Sequence, residues 1–255
     1  MHATLEQLPP SLTALCFAAA TIVGWRIGWW SGRRVLTDLG EDPGNKFTDS
    51  SLALLGLLLG FTFSMSLSRH DQRRLMVVTE SNAIGDFYTC ASLLTDPGRT
   101  ALQTVIRDYA KAKLAVTHGP ISKTELDLAI THFTELQGRM TELVRNAISE
   151  GTPIVVPLTN TLNDVSSSGA ARLAAYHDRL PAIIVLLLFM TSVVPAFLMG
   201  QQQGALPKVH ITGTLSFVFL VTAVTYVTLD LNQPGKGSIR VSQEPMERLI
   251  ASISQ

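Results

Sequence analysis

The sequence predicts an all-α membrane protein: four transmembrane helices and a cytosolic helical bundle, formed by extensions of spans two and three plus two intervening helices. Three observations carry this expectation. First, 46% of the 255 residues are hydrophobic and only 16% are charged, where soluble domains carry about 25% charged residues. Second, four apolar runs, at 12–30, 51–67, 181–200 and 209–230, reach the length of about 17–25 residues that a helix needs to cross a bilayer. Third, between the second and third runs apolar residues recur every three or four positions and never alternate, the period of helices rather than strands. The 20 basic and 20 acidic residues cancel, which excludes the basic excess of a nucleic-acid binder. Cys16 and Cys90 imply neither a disulfide framework nor a metal-ligand spacing.

The first span ends in Trp29 and Trp30, side chains suited to an interfacial belt. No basic residue precedes it and no small-x-small cleavage site follows, so a retained anchor is expected rather than a signal peptide. Arg26 lies about one turn from its end, and snorkelling to the interface is favoured over a functional role there. Residues 51–94 read as one helix on the order of 65 Å long, about twice the hydrocarbon thickness. In it Gly56, Gly60, Ser64 and Ser68 form a small-residue row that lets another helix approach closely. Thr62, Ser66, Arg69 and Arg73 form a polar row on a neighbouring face. Its hydroxyls either bond back to helix carbonyls or line an aqueous path, and the sequence leaves both open. Further along, Glu80, Asn82 and Asp86 surround Gly85. A glycine inside a helix costs about 1 kcal/mol against alanine, so close approach of another helix is expected there, bridged by these polar groups.

Asp96-Pro97-Gly98 breaks the long helix. Leu102, Val105, Ile106, Tyr109 and Leu114 then make one apolar face, up to a stop signal at 118–120. Ser122 and Glu125 have the spacing of a capping box, opening a helix whose stripe includes Phe133, Leu136, Met140 and Val144. Residues 158–180 carry a weaker stripe and run into the third span, where Pro195 should kink or loosen the helix. In the fourth span Thr222, Thr225 and Tyr226 share a face, and turns are expected at 42–45 and 232–237. At the chain's end Met246, Leu249, Ile250 and Ile253 share a helical face that should dock on the bundle or a neighbouring subunit. The expected domains are 1–67 and 181–230 in the membrane, with 68–180 as the bundle and 231–255 as a cytosolic tail. Arg69, Arg73, Arg74, Arg172, Arg179, Lys236, Arg240 and Arg248 outnumber Arg33, Arg34, Lys46 and Lys208 near the spans. The positive-inside rule then places both termini in the cytoplasm.

No nucleophile elbow, phosphate loop or zinc pair is present, so neither catalysis nor a cofactor is expected. The dipeptides His70-Asp71 and His177-Asp178 have the side chains to hold a divalent ion or to titrate together. Solvated interfacial residues are the favoured reading, and no firm metal site is expected.

Leu-Leu-Leu-Gly-Phe-Thr-Phe-Ser-Met at 57–65, followed by Arg73-Arg74, Val-Val-Thr-Glu-Ser-Asn-Ala-Ile-Gly at 77–85 and Tyr88, resembles the bestrophin-like domain family of bacterial membrane proteins. The stretch at 229–246, Leu-Asp-Leu-Asn-Gln-Pro-Gly-Lys-Gly-Ser-Ile-Arg-Val-Ser-Gln-Glu-Pro-Met, resembles that family's closing signature. The resemblance implies a bacterial inner-membrane protein and, because bestrophins proper are pentameric anion channels, a pentamer by analogy. In bestrophins the second span lines an apolar neck with phenylalanines. Phe61 and Phe63 stand in a similar place, but two residues apart they point about 200° apart, so at most one faces a common axis. The bestrophins' Asn-Pro-Pro-Phe segment and acidic calcium cluster are lacking, so calcium gating is not implied. The leading expectation is an oligomeric channel-like protein passing small anions, lined by Phe61, Thr62, Phe63, Ser64 and Ser66, with Arg69 and Arg73 as a basic ring at the cytosolic mouth. The alternative is a membrane-anchored interaction or sensor module without a pore. Its cytosolic bundle would bind a partner, and its spans would only anchor it in the bilayer.

Overall fold

The computed structural model describes residues 9–35, 44–117, 122–206, 211–234 and 237–254. The predicted signals at 42–43, 118–120, 209–210 and 235–236 lie outside them. Eight helices and no strand occur among the described residues. They are α1 (Pro10–Val35), α2 (Gly44–Ala91), α3 (Gly98–Ala115), α4 (Lys123–Ser149), α5 (Val155–His177), α6 (Ala182–Ala205), α7 (Ile211–Leu231) and α8 (Glu244–Ile253). Four candidate membrane spans are present, carried by α1, α2, α6 and α7. With 48 residues, α2 is a single helix of about 72 Å. The chain divides into two compact units, one of Met1–Arg69 with Arg179–Ile239, the other of His70–Asp178 with Arg240–Gln255.

In the first unit α1 lies against α6 along reciprocal glycines. A Cβ on Gly28 would overlap the Phe197 carbonyl, and one on Gly32 the Gln201 carbonyl. From the other side, Gly200 and Gly204 sit against the carbonyls of Trp25 and Trp29. Absent side chains let the backbones touch, which is how helices associate where no hydrophobic driving force acts between them. The sequence reading assigned this role to Gly56 and Gly60, and that assignment does not hold within the subunit. A Cβ at either would meet nothing within 4 Å. The physical reason is reciprocity: a small-residue row packs only where a partner brings its own, and α6 brings Gly200 and Gly204 to α1. Phe17, Leu55, Leu59, Leu188 and Val221 form the apolar core of this unit, with Phe17 edge-on to Phe189 at 5.3 Å. Pro195 is buried in α6, which stays helical through it. After α7 the buried Asp230 carboxylate accepts the Ser238 and Ile239 amides at 2.8 and 2.7 Å. Asn232 Oδ1 accepts the Leu180 amide at 2.7 Å.

In the second unit Ile84 and Phe87 of α2 join Leu102, Ile106 and Tyr109 of α3, Met140 of α4, Leu158 and Val165 of α5, and Met246 and Ile253 of α8 in one core. The Ser122 hydroxyl accepts the Glu125 amide at 3.2 Å and the Glu125 carboxylate accepts the Ser122 amide at 2.8 Å, closing the capping box. The expected extension of the third span is instead a separate helix. α5 ends at His177, residues 178–181 are not helical, and α6 starts after Pro181. A proline pushes the residue before it out of helical conformation.

Candidate ion path and the charged core of the bundle

The membrane half of α2 has a covered and an open face. Leu55, Leu59, Thr62 and Ser66 are buried, with Thr62 4% and Ser66 0% exposed. Gly56, Gly60, Phe61, Phe63, Ser64, Leu67 and Ser68 are exposed. Thr62 and Ser66 are therefore not on a surface of the subunit, contrary to the expectation that they line a path with Ser64. Thr62 donates its hydroxyl back to the Leu58 carbonyl at 2.8 Å, which meets its hydrogen-bonding need without water. The covered face is otherwise apolar, except that the buried Ser66 hydroxyl has no hydrogen-bond partner among the described residues.

Arg73 also departs from its expected place at an open mouth. It is 5% exposed, and its guanidinium donates to the Ala175 carbonyl at 3.0 Å and the Asp178 carbonyl at 2.6 Å. These acceptors sit where α5 ends, and the last carbonyls of a helix lack intrahelical partners. Arg73 is thus a clamp on a helix C-terminus, where a cation also meets the negative end of the helix dipole. Arg69 is half-buried, whereas Arg74 is exposed.

The most heavily charged interior site centres on Glu80, which is 0% exposed. Its carboxylate pairs with Lys113 Nζ at 2.9 Å and Arg172 Nη1 at 2.5 Å. Arg172 also donates to Gln243 Oε1 at 2.8 Å, tying the segment before α8 into the cluster. Lys113 lies 5.2 Å from the Tyr109 ring centre and 4.4 Å from that of Phe133. Gln137 donates to the Tyr109 hydroxyl at 3.2 Å. Burial, and then the Glu80 charge, push the Tyr109 phenol well above its usual value, so it stays a neutral hydroxyl. The cluster fits into α5 through Gly169, where a Cβ would stand 3.0 Å from the Tyr109 hydroxyl and 3.2 Å from Glu80 Oε1. Glu80 bridging between helices was legible from the sequence, but its two cations were not recognised. Their signal was present: Lys113 continues the stripe of Ile106 and Tyr109, and Arg172 follows Val165 by seven residues on the inward face of α5. A charge on an apolar stripe is a buried ion pair awaiting its partner.

On the outer side of this unit a groove of about 620 Å³ runs between α2 and α8, lined by Ser81, Asn82, Gly85, Asp86, Glu244 and Arg248 among others. A Cβ on Gly85 would stand 3.2 Å from Leu249 Cδ1, so α8 comes close to α2 there. His70, Asp71, His177 and Asp178 are not brought together as a metal site. No three His, Cys, Asp or Glu side chains converge on an ion position among the described residues. His177 Nδ1 lies 2.9 Å from the Leu173 carbonyl of its own helix.

The chain matches the profile of the bestrophin-like domain over residues 15–246. A comparison with curated proteins returns no match. Among solved structures the chain is similar to the crystal structure of a membrane protein, with a TM-score of 0.60 and 13% identity, covering 96% of this chain and 95% of that one. At that identity the likeness speaks for the fold.

Proposed function

The chain belongs to the bestrophin-like domain family, and on that premise we propose that it is an oligomeric channel-like protein passing small anions along the second spans of its assembled subunits. One observation carries this reading: the open face of α2. Gly56, Gly60, Phe63, Ser64 and Leu67 are exposed, while a side about 100° round the same turns is covered by the subunit's own helices. Hydroxyls gain nothing against lipid, and Gly56 and Gly60 have no neighbour in the subunit. Water or a second copy of α2 would give both a role. At 100° per residue Gly56, Gly60, Phe63 and Leu67 fall within about 60° of one line, whereas Phe61 points well away. In the proposal Phe63 and Leu67 form the apolar constriction. Arg74, exposed beyond the span, takes the place at the mouth that Arg73 cannot fill, and a ring of such cations favours anions.

Full-length protein reconstituted in liposomes tests this. Anion flux is expected, rising in Phe63→Ala and falling in Arg74→Glu, while Thr62→Ala leaves it near wild type. Absence of flux from folded oligomers under any anion gradient sinks the proposal. The groove between α2 and α8 supports a second reading, a membrane-anchored module that docks a cytosolic partner segment. A monomeric mass in detergent, together with no flux, favours that reading over the channel.

A further inference from the structure

At the far end of α1 three guanidinium groups are stacked on two indole rings. Arg26 lies 5.0 Å and Arg33 4.2 Å from the Trp29 ring centre, and Arg34 lies 3.4 Å from that of Trp30. All three arginines are exposed, as is Trp30. Among the described residues none of them has an ion pair with a carboxylate; the pairs present involve other side chains. Three like charges within nine residues repel one another, and stacking on an aromatic face holds them there without neutralising them. Stacking occupies the flat face of a guanidinium and leaves its rim of N–H donors free. That rim matches two oxygens of a phosphate in bidentate fashion.

The location selects the source of the phosphate. With 26 residues α1 is about 39 Å long, beyond the roughly 30 Å of bilayer hydrocarbon. Its last turns therefore stand at headgroup level. About two to three turns before Arg33, Ile22, Val23 and Ile27 are 46, 55 and 52% exposed, an apolar surface at acyl-chain depth from which the long Arg26 side chain reaches toward the headgroups. We propose that Arg26, Arg33 and Arg34, held by Trp29 and Trp30, form a binding site for the phosphate of an anionic lipid headgroup, whose acyl chains lie along the exposed side of α1.

All three tryptophans of the chain, Trp25, Trp29 and Trp30, are in α1, so intrinsic fluorescence reports on this helix alone. Full-length protein is reconstituted with phosphatidylcholine, and brominated phosphatidylglycerol or brominated phosphatidylcholine is added as quencher. Phosphatidylglycerol is expected to bind at least about fivefold more tightly, the factor that matches the roughly 1 kcal/mol which a single basic residue near a surface contributes toward anionic lipid. The Arg33→Gln/Arg34→Gln double variant should bring the ratio close to one. The Arg33→Lys/Arg34→Lys variant, which keeps charge but loses the planar fork, should be intermediate. Equal quenching by the two lipids in the wild type overturns the proposal. So does an undiminished preference in the Gln variant when its helix content and detergent mass match wild type. Loss of the preference in millimolar inorganic phosphate assigns the site to free anions and overturns the lipid source.

Discussion

Replacing Glu80 with alanine tests the reading of the bundle most directly. The carboxylate is fully buried, and its partners Lys113 and Arg172 are only 11 and 15% exposed. The substitution leaves two cations with little water and no counter-charge. Removing one partner of a buried pair costs about 3–5 kcal/mol, because the remaining charge is desolvated and uncompensated. For a chain of this size 1 kcal/mol moves the thermal midpoint by roughly 2–4 °C, so the helical signal in detergent should melt about 6–20 °C lower. Hydrogen exchange should localise the loss to α3, α5 and the segment around Gln243, since Arg172 also bonds Gln243. Glu80→Gln keeps the shape without the charge and should fall between. Replacing all three ionic groups by apolar residues, as Glu80→Leu, Lys113→Met and Arg172→Leu, should recover much of the loss, because no buried charge is then left unpaired. A midpoint for Glu80→Ala within 1–2 °C of wild type refutes the reasoning, since it requires water to reach the site.

Two further outcomes are expected. Gly28→Leu must push α1 away from the Phe197 carbonyl; overpacking of this kind costs about 1–3 kcal/mol, read as a lower thermal midpoint, whereas Gly60→Leu leaves the isolated subunit as stable as before and alters only the detergent mass. The capping interaction with the Ser122 amide holds the Glu125 carboxyl below the usual carboxylate range. A depressed folded-state value means the contact is fully present above the ordinary glutamate value of about 4.3. It is lost as pH falls through the folded value, so the Ser122 amide, followed by NMR, should lose exchange protection at acid pH while those in the middle of α4 keep theirs.

The elements were largely legible because the signals are local. Hydrophobic length marked the spans and the Ser122 and Glu125 pair marked the start of α4, whereas the break before Pro181 runs against the expected continuity with the third span, although it needed only the rule for residues before proline. The apolar face of Met246 and Ile253 forecast burial, and both side chains are in the core. What the local signals do not contain is the partner. Gly56-x-x-x-Gly60 and Gly24-x-x-x-Gly28 read alike, and only the presence of Gly200 and Gly204 opposite α1 decides which row is used within the subunit.

The same distinction governs the long second helix. Its amino acids by themselves determined that it is helical, that it outruns the bilayer and that it carries small, polar and apolar rows at fixed angles. Which row looks outward was decided by tertiary structure. The first unit's helices cover Leu55, Leu59, Thr62 and Ser66, and the end of α5 captures Arg73, so the polar row is interior and the glycine row is open. Helical geometry sets the angle between two faces of one rod, but only the neighbours' surfaces, through the contacts and hydrogen bonds they complete, choose the face that is left for the membrane, for water or for another copy.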